Sequence, residues 1–267
     1  MDLKLDGKRA LVTGSNSGIG RAIAQMLAAE GVSVVVHGRD RARTQEAAAD
    51  IRAKGGKAAV ALGDLMADAS ADEVAKAALD AFGGIDILVN KAGGHATQTV
   101  GWFAISADDW LATANMNVGA AVRMIQRLAG PMKERGWGRI IQIGSFSGRS
   151  GDSGDYPAYS AAKAATENLS FVLSRELKFS GVTVNTVAPG LIATEGFELY
   201  LDGASKHLGM THEQATTHTA ITIMNQKVKR LGVPEDVGRL VAYLASPHAD
   251  FITGTTLRID GGAFPSA

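Results

Sequence analysis

The amino-acid sequence predicts one α/β domain of the doubly wound type, in which helices cover both faces of a parallel sheet. Short apolar, β-branched segments alternate with longer alanine-rich segments of helical period along all 267 residues. The apolar segments are continuous rather than alternating, which suits strands that are buried on both faces. No linker, repeat or low-complexity tract divides the sequence, so a single domain over 1–267 is expected.

Seven apolar segments are predicted as strands, and the amphipathic segments between them as helices. The strands are expected at ALVT (10–13), VSVVVH (32–37), KAAVAL (57–62), IDILVN (85–90), RIIQIG (139–144), VTVNTV (182–187) and TTLRID (255–260). The alternation breaks at 191–230, a polar segment with three histidines and no strand pattern. A segment of that length is expected to be a mobile lid or an additional helical excursion. Its histidines lack the spacing and neighbouring carboxylates of a metal site, so no metal is predicted.

Composition and charge exclude several classes of partner. The chain has 27 basic and 27 acidic residues and no basic block, so neither nucleic acid nor an anionic membrane is expected to bind. The absence of cysteine excludes disulfides, thiolate metal sites and cysteine nucleophiles. The first residues lack a signal-peptide pattern, and no segment approaches the ~18 apolar residues of a membrane helix. A cytoplasmic protein is therefore predicted.

A glycine-rich turn, TGSNSGIG (13–20), follows the first predicted strand and opens directly into a helix. Glycines allow a tight turn and a close approach to a phosphate, which then lies at the helix N-terminus. The position of this turn, at the first strand in a series of βα units, favours nucleotide binding over a merely tight turn. Its glycines at 14, 18 and 20 depart from the G-x-G-x-x-G spacing.

This glycine pattern and four other motifs resemble those of the short-chain dehydrogenases/reductases. YSAAK matches the family's Tyr-x-x-x-Lys, and IQIGS its serine at a strand end. NTVAPGLIAT resembles its Pro-Gly segment, and ITGTTLRIDGG its last strand and C-terminal turn. The matches run in order from residue 9 to 262, so the resemblance covers nearly the whole chain.

The resemblance implies a Rossmann-like fold with a seven-stranded parallel sheet in the order 3-2-1-4-5-6-7. It also implies hydride transfer between a nicotinamide cofactor and the carbonyl or secondary alcohol of a small-molecule substrate. Similarity to acyl-carrier-protein ketoreductases is general to this branch of the family. The family's habit implies a homotetramer, a dimer of dimers that pairs the long helices around 115–135 and 157–180.

Of the two tyrosines in YPAYSAAK (156–163), Tyr159 is predicted to be the acid/base catalyst. Pro157 suits the first position of a helix and pushes Tyr156 toward extended conformations, so Tyr156 lies outside the helix. Tyr159 and Lys163 are then four residues apart on one face. The lysine ammonium is expected to lower the pKa of the phenol from about 10, so that it can exchange a proton with an alcohol or carbonyl. The alternative, an ordinary packed tyrosine, is disfavoured by the other motifs.

The resemblance assigns two further residues to the catalytic group of Asn117, Ser145, Tyr159 and Lys163. Ser145 directly follows the strand RIIQIG and would position the substrate oxygen, with Ser147 as its rival. Asn117 resembles the asparagine that holds a water chain to the lysine, and Asn115 is the competing residue. The alternative function is a nucleotide-binding sensor or scaffold without chemistry. Such a protein would have lost the serine, tyrosine or lysine, and all three are present.

The end of the second strand, VVVHGRD, bears on the choice between the two nicotinamide cofactors. Gly38 stands where NAD-preferring relatives carry an acid for the ribose, and Arg39 follows it. A guanidinium matches a 2′-phosphate bidentately, so NADP(H) is favoured over NAD(H). If Arg39 is only a solvated charge, the preference stays open and NAD(H) remains the alternative.

Family motifs also imply the remaining contacts. The cofactor contacts expected from them are Gly14, Asn16, Ser17, Gly18, Ile19, Gly20, Arg39, Asp64, Leu65, Asn90, Ala92, Gly93, Tyr159, Lys163, Pro189, Gly190, Ile192 and Thr194. The substrate contacts expected are Ser147, Tyr156 and Phe197.

One residue departs clearly from the family pattern. The fourth strand ends V89-N90-K91-A92-G93, where relatives commonly show Asn-Asn-Ala-Gly. Lys91 has no hydrogen-bond acceptor, and burying its ammonium unpaired would be costly, so the side chain is expected to extend along the cofactor cleft. It is either a tolerated substitution that loosens the turn or a second cation for the cofactor's phosphates.

Overall fold

A computed structural model describes residues 1–96, 101–150 and 156–263 and shows seven strands in one parallel sheet. The strands are β1 (Arg9–Val12), β2 (Ser33–Gly38), β3 (Ala58–Leu62), β4 (Ile87–Asn90), β5 (Gly138–Ile143), β6 (Val182–Pro189) and β7 (Thr256–Ile259). Their order in the sheet is β3-β2-β1-β4-β5-β6-β7, and every neighbouring pair is parallel. The predicted fold class and strand order are confirmed.

Helices connect the strands and form the two outer layers. In the described residues they are α1 (Gly18–Ala29), α2 (Arg41–Ala53), α3 (Asp68–Phe82), α4 (Ala107–Ala114), α5 (Ala120–Glu134), α6 (Pro157–Glu176), α7 (Glu195–Leu208), α8 (His212–His218) and α9 (Pro234–Ala245). A π-helical turn at Asn115–Gly119 joins α4 to α5. None of the described helices is long and apolar enough to cross a membrane.

Two hydrophobic layers lie on opposite faces of the sheet. One is built with α1, α2 and α9, and the other with α3 and α5. In β2, Val34 and Val36 belong to the first layer and Val35 to the second. Each such valine contributes roughly 1.5–3 kcal/mol by its burial. Because both faces are covered, the strands are continuously apolar, as the sequence indicated.

The strand order reverses between β1 and β4, and this reversal creates the cleft. The chain leaves β1 toward β2 on one side, and β4 continues toward β5 on the other. The connections after β1 and β4 therefore diverge at the carboxyl ends of the strands, where ligands bind in open α/β sheets. The segments 13–17 and 91–95 border this crevice.

The polar segment 191–230 folds mainly as helices α7 and α8, followed by a π-helical turn at Thr219–Ile223. A small hydrophobic cluster of Leu201, Ala220 and Leu231 supports it, with Phe197 packed alongside. His212 joins the two helices, since its ring nitrogens lie 3.1 Å from Glu198 and 3.3 Å from Asp202. The segment is thus a helical excursion, and its action as a lid stays a prediction.

Candidate active site and cofactor cleft

Three glycines shape the turn between β1 and α1. Gly14 and Gly18 have φ values of +64° and +51°, a region that side chains rarely adopt. A Cβ on Gly20 would lie 2.2 Å from the carbonyl oxygen of Gly14. Ser17, the N-cap residue of α1, makes no side-chain cap hydrogen bond. The first-turn amides therefore face the cleft without a side-chain acceptor, which suits a bound phosphate.

His37, which sequence reasoning missed, ties this turn to the neighbouring strand ends. Its Nδ1 accepts a hydrogen bond from the Gly14 amide at 3.0 Å, and its Nε2 lies 3.2 Å from the carbonyl oxygen of Gly63. Since a carbonyl can only accept, the proton is on Nε2. Burial lowers the pKa of His37 to about 4, so the imidazole is neutral. The sequence shows a histidine in a strand but not the turn amide that it binds.

Thr13 holds the turn after β4 in the same manner. Its hydroxyl accepts hydrogen bonds from the amides of Lys91 and Ala92, both at 3.0 Å. The Ala92 Cα would lie 3.1 Å from a Cβ on Gly14, so the two turns are in close contact. This bonding fixes the backbone of the segment that departs from the family pattern.

Two adjoining cavities occupy the crevice, with volumes of about 390 and 610 Å³. Both are lined by Ser17, Arg43, Lys91 and Gly93, which mark the junction between them. Two adjoining lobes beside a helix N-terminus fit the two halves of a dinucleotide. The residues present therefore fit the nicotinamide cofactor that the motifs imply.

Most predicted cofactor residues line one or both cavities. Those at the first cavity are Gly14, Asn16, Ser17, Arg39, Asp64, Leu65, Ala92 and Gly93. Those at the second are Ser17, Gly18, Ile19, Gly93, Tyr159, Lys163, Pro189, Gly190 and Thr194.

Three predicted cofactor residues, Gly20, Asn90 and Ile192, line neither of these cavities. Gly20 is buried against the turn, and Ile192 is buried in the core. Asn90 is buried beside Gln142 of β5, and neither side-chain amide has a hydrogen-bond partner in the described structure. Among the predicted substrate residues, Phe197 packs in the cluster under α7.

The end of β2 presents an exposed cation at position 39 and a closely packed glycine at position 38. The Arg39 side chain is 70% exposed, and its guanidinium lies 3.6 Å from Asp64. A Cβ on Gly38 would lie 2.5 Å from the Thr44 hydroxyl oxygen and 2.7 Å from the Asn16 side chain. Asp40 caps α2 by accepting from the Arg43 amide. Asp40 is thus committed to the helix.

The proposed catalyst lies where the YPAYSAAK pattern predicts. Helix α6 begins at Pro157, so Tyr156 is its N-cap residue and Tyr159 lies in its first turn. The Ser145 hydroxyl donates to the Ser147 hydroxyl at 3.3 Å, and hydrogen bonding by Ser145 acts to lower the pKa of the Tyr159 phenol. The pKa of Tyr159 is nevertheless raised, because burial outweighs this effect. The expectation that Lys163 lowers this pKa is therefore wrong for the cofactor-free protein.

Lys163 is buried beside the Tyr159 ring. Its Nζ donates to the Ile143 carbonyl at 2.9 Å and lies 5.4 Å from the centre of the Tyr159 ring. Burial, assisted by repulsion from Lys91, lowers the pKa of Lys163 to about 7. The free protein therefore holds this group near the midpoint of its titration at neutral pH.

Asn117 lies in the π-helical turn between α4 and α5, a feature that is frequent at functional sites. Its amide donates to the carbonyls of Gly94 (2.8 Å) and Thr113 (2.9 Å), and its Oδ1 accepts from the Gly94 amide (3.1 Å). Its rival Asn115 instead donates to Met66 and accepts from Arg123. Asn117 thus supports the segment that borders the cavity.

Ser147 and His95 complete the surroundings of the two hydroxyls. The Ser147 amide donates to the Ser145 oxygen at 3.2 Å and so orients that side chain. His95, which the sequence analysis did not identify, lies between Tyr156 and Tyr159. The centre of its ring is 4.2 Å from that of Tyr156 and 4.4 Å from that of Tyr159. Burial and the Lys163 charge lower the pKa of His95.

Relatives of known activity resemble the chain over nearly its full length. It is 37% identical over 262 residues to the 3-oxoacyl-[acyl-carrier-protein] reductase of Vibrio cholerae, covering 98% of this chain and 99% of that protein. It is 38% identical over 264 residues to the corresponding reductase of Vibrio harveyi, with the same coverage.

Solved structures of reductases also match the chain over nearly its full length. The L-sorbose reductase of Gluconobacter frateurii, complexed with NADPH and L-sorbose, superposes with a TM-score of 0.91 at 30% identity over 100% of both chains. A 3-oxoacyl (acyl-carrier-protein) reductase from Agrobacterium tumefaciens with NADP bound reaches 0.86 at 32% identity, over 97% of this chain and 95% of that one. The family model for short chain dehydrogenases matches residues 8–202. The chain therefore belongs to the short-chain dehydrogenase family, the nicotinamide-dependent oxidoreductases of carbonyl and alcohol groups.

Proposed function

We propose that this protein interconverts a carbonyl and a secondary alcohol, preferably with NADP(H), and that Tyr159 is its general acid and base. The observation that carries this proposal is that Ser145, Tyr159 and Lys163 all line the larger cavity. The two hydroxyls can reach one substrate oxygen, and Lys163 lies directly behind the phenol.

The chain's own residues provide the proton and the position of the substrate. A bound nicotinamide supplies or accepts the hydride. The phenol of Tyr159, whose pKa is raised, is protonated at neutral pH and can donate to the carbonyl oxygen during reduction. The Ser145 hydroxyl, held by the Ser147 amide, would hydrogen-bond the same oxygen. Lys163 would return a proton to the phenol, and Asn117 would hold the water chain that supplies the lysine.

Arg39 supports the preference for NADP(H). Its exposed guanidinium lies at the smaller cavity, and its only ion pair in the described residues is the distant one with Asp64. A 2′-phosphate could replace that partner with two charge-assisted hydrogen bonds. An acid at position 38, which would bind a free ribose, would require the Thr44 and Asn16 side chains to shift. NAD(H) remains the alternative cofactor.

The substrate is proposed to be a small carbonyl compound. The names of the relatives suggest two classes to test, 3-oxoacyl thioesters and ketoses such as L-sorbose. The homotetramer and the cytoplasmic location stay predictions. Exposed Phe171 and Val172 on α6 support pairing of that helix, which light scattering would test.

A carbonyl panel tests the function. Purified protein is incubated with each carbonyl class and NADPH or NADH, and oxidation of the cofactor is followed by absorbance, with Tyr159→Phe as the matched control. We expect turnover of at least one class, faster with NADPH, and turnover lower by about 10²- to 10⁴-fold in the variant. Cofactor binding without turnover of any carbonyl or alcohol would favour the alternative of a sensor or scaffold.

A further inference from the structure

Among the described residues, Lys91 differs from the other cations of the cleft in that its ammonium has no partner. Arg39 lies 3.6 Å from Asp64, and Arg43 lies 3.7 Å from Glu195. In the part of the chain that the structure describes, the Lys91 ammonium makes neither a hydrogen bond nor an ion pair.

The position of Lys91 identifies the kind of anion that it faces. It is one of the residues that line both cavities, so it lies at their junction. Its Cδ would lie 3.4 Å from a Cβ on Gly14, and the Thr13 hydroxyl holds its amide. The uncapped first turn of α1 begins at Gly18, which lines the larger cavity. The group that joins the two halves of a dinucleotide at such a point is the pyrophosphate.

The electrostatics of the free cleft call for an anion at this place. Loss of hydration lowers the pKa of Lys91, because an unpaired ammonium is poorly stabilised away from water. Lys163 is a second cation near it, and their repulsion adds to the lowering of the pKa of Lys163. An entering pyrophosphate would relieve both effects.

We propose that the Lys91 ammonium binds the pyrophosphate of the dinucleotide, a contact shared by NADP(H) and NAD(H). The proposal rests on the proposed function in one respect, the use of a nicotinamide dinucleotide. It replaces the alternative in which Lys91 is a tolerated substitution. It also separates Lys91 from Arg39, which would contact only the 2′-phosphate.

Binding measurements without turnover test this contact. Dissociation constants of NADP⁺ and NAD⁺ are measured by calorimetry at several salt concentrations for wild type, Lys91→Met and Lys91→Arg. The matched control is Lys57→Met. Lys57 is exposed and lies just before the amino end of β3, whereas the cleft lies at the carboxyl ends of the strands. We expect Lys91→Met to weaken both dinucleotides equally, by about 10- to 100-fold at low salt, with a smaller loss at high salt.

Two further arms sharpen the result. Adenosine 2′-monophosphate, which lacks a pyrophosphate, should bind wild type and Lys91→Met equally. Lys91→Arg should retain most of the affinity, and Lys91→Met should melt at or above the wild-type temperature, because it buries no charge.

Two results would overturn the proposal, and they are distinguishable. If wild type binds both dinucleotides and Lys91→Met binds them as tightly, or loses NADP⁺ alone, Lys91 is not a pyrophosphate ligand and the proposed function stands. If wild type binds neither dinucleotide, the proposed function falls together with this contact.

Discussion

The two ends of the cofactor cleft differ in how far their positively charged side chains are exposed to solvent. At the end formed by β2, the Arg39 side chain is 70% exposed and paired with an acid. At the end formed by β5 and α6, Lys163 is only 5% exposed, and its one hydrogen bond among the described residues is to the Ile143 carbonyl. An exposed charge costs little, whereas a buried one must be maintained against its loss of hydration. If the proposed roles hold, cofactor choice depends on an exposed charge, and reactivity depends on a buried charge that destabilises the cofactor-free protein.

The strongest test of this contrast is Lys163→Met. The folded pKa of Lys163 is about 7, against 10.5 for a free lysine, so the folded state binds fewer protons between these values. Wild-type stability should therefore rise from pH 7 toward 10. Removing the charge should raise the free energy of unfolding of the cofactor-free protein at pH 7 by up to about 4 kcal/mol, at 1.36 kcal/mol per pKa unit. Turnover should be lost.

Urea unfolding of wild type and Lys163→Met across this pH range measures the effect, with Lys57→Met as control. A variant that is less stable than wild type at pH 7 would contradict the contrast. It would show that the bond to Ile143 outweighs the cost of burial.

The two tyrosines at the start of α6 provide the next test. Tyr159→Phe should lower kcat by about 10²- to 10⁴-fold, the usual contribution of a general acid, and leave the Kd of the cofactor unchanged. Tyr156→Phe should retain most activity, because Tyr156 is 42% exposed and touches His95 through its ring. The opposite result would exchange the two roles.

His37 tests the other end of the cleft. Its folded pKa is about 4 against 6.5 when unfolded, so the unfolded state binds more protons between these values. Wild-type stability should be fully present above pH 6.5 and fall by about 3 kcal/mol as the pH drops to 4. His37→Leu should flatten this dependence and weaken cofactor binding, since the Gly14 amide loses its acceptor. Unfolding curves that keep the wild-type pH dependence would contradict the assignment.

The smallest expected effect concerns cofactor choice. Arg39→Leu should weaken the binding of NADP(H) by ~1.5–3 kcal/mol, the value of hydrogen bonds to charged groups, and leave the binding of NAD(H) unchanged. Comparing kcat/KM for the two cofactors measures it, and an unchanged ratio would remove Arg39 from the site. Gly38→Asp should mainly lower the melting temperature, because its Cβ would meet Thr44 and Asn16.

The two ends of the cleft also differ in how far sequence reasoning reached. At α6, the position of Pro157 and the spacing of Tyr159 and Lys163 predicted the observed helix start and the shared face. These are local properties of a few consecutive residues. The predicted lowering of the Tyr159 pKa was wrong. The pKa is raised by burial, and the elements that bury Tyr159 are distant in sequence. His37 and His95 were missed for the same reason, since their partners lie 23 or more residues away.

The sequence by itself determined the sheet, the glycine turn and the candidate residues. Strand burial, helix capping and glycine conformations depend on residues that are close together in the sequence. Tertiary structure decided what each polar side chain meets. It placed Ile192 in the core, committed Asn115 to Arg123 and brought Lys91 near Lys163. Hydrogen bonds act over about 3 Å, and hydration is lost only when other elements close over a group. Those distances exist only after β1, β4, β5 and α6 have come together.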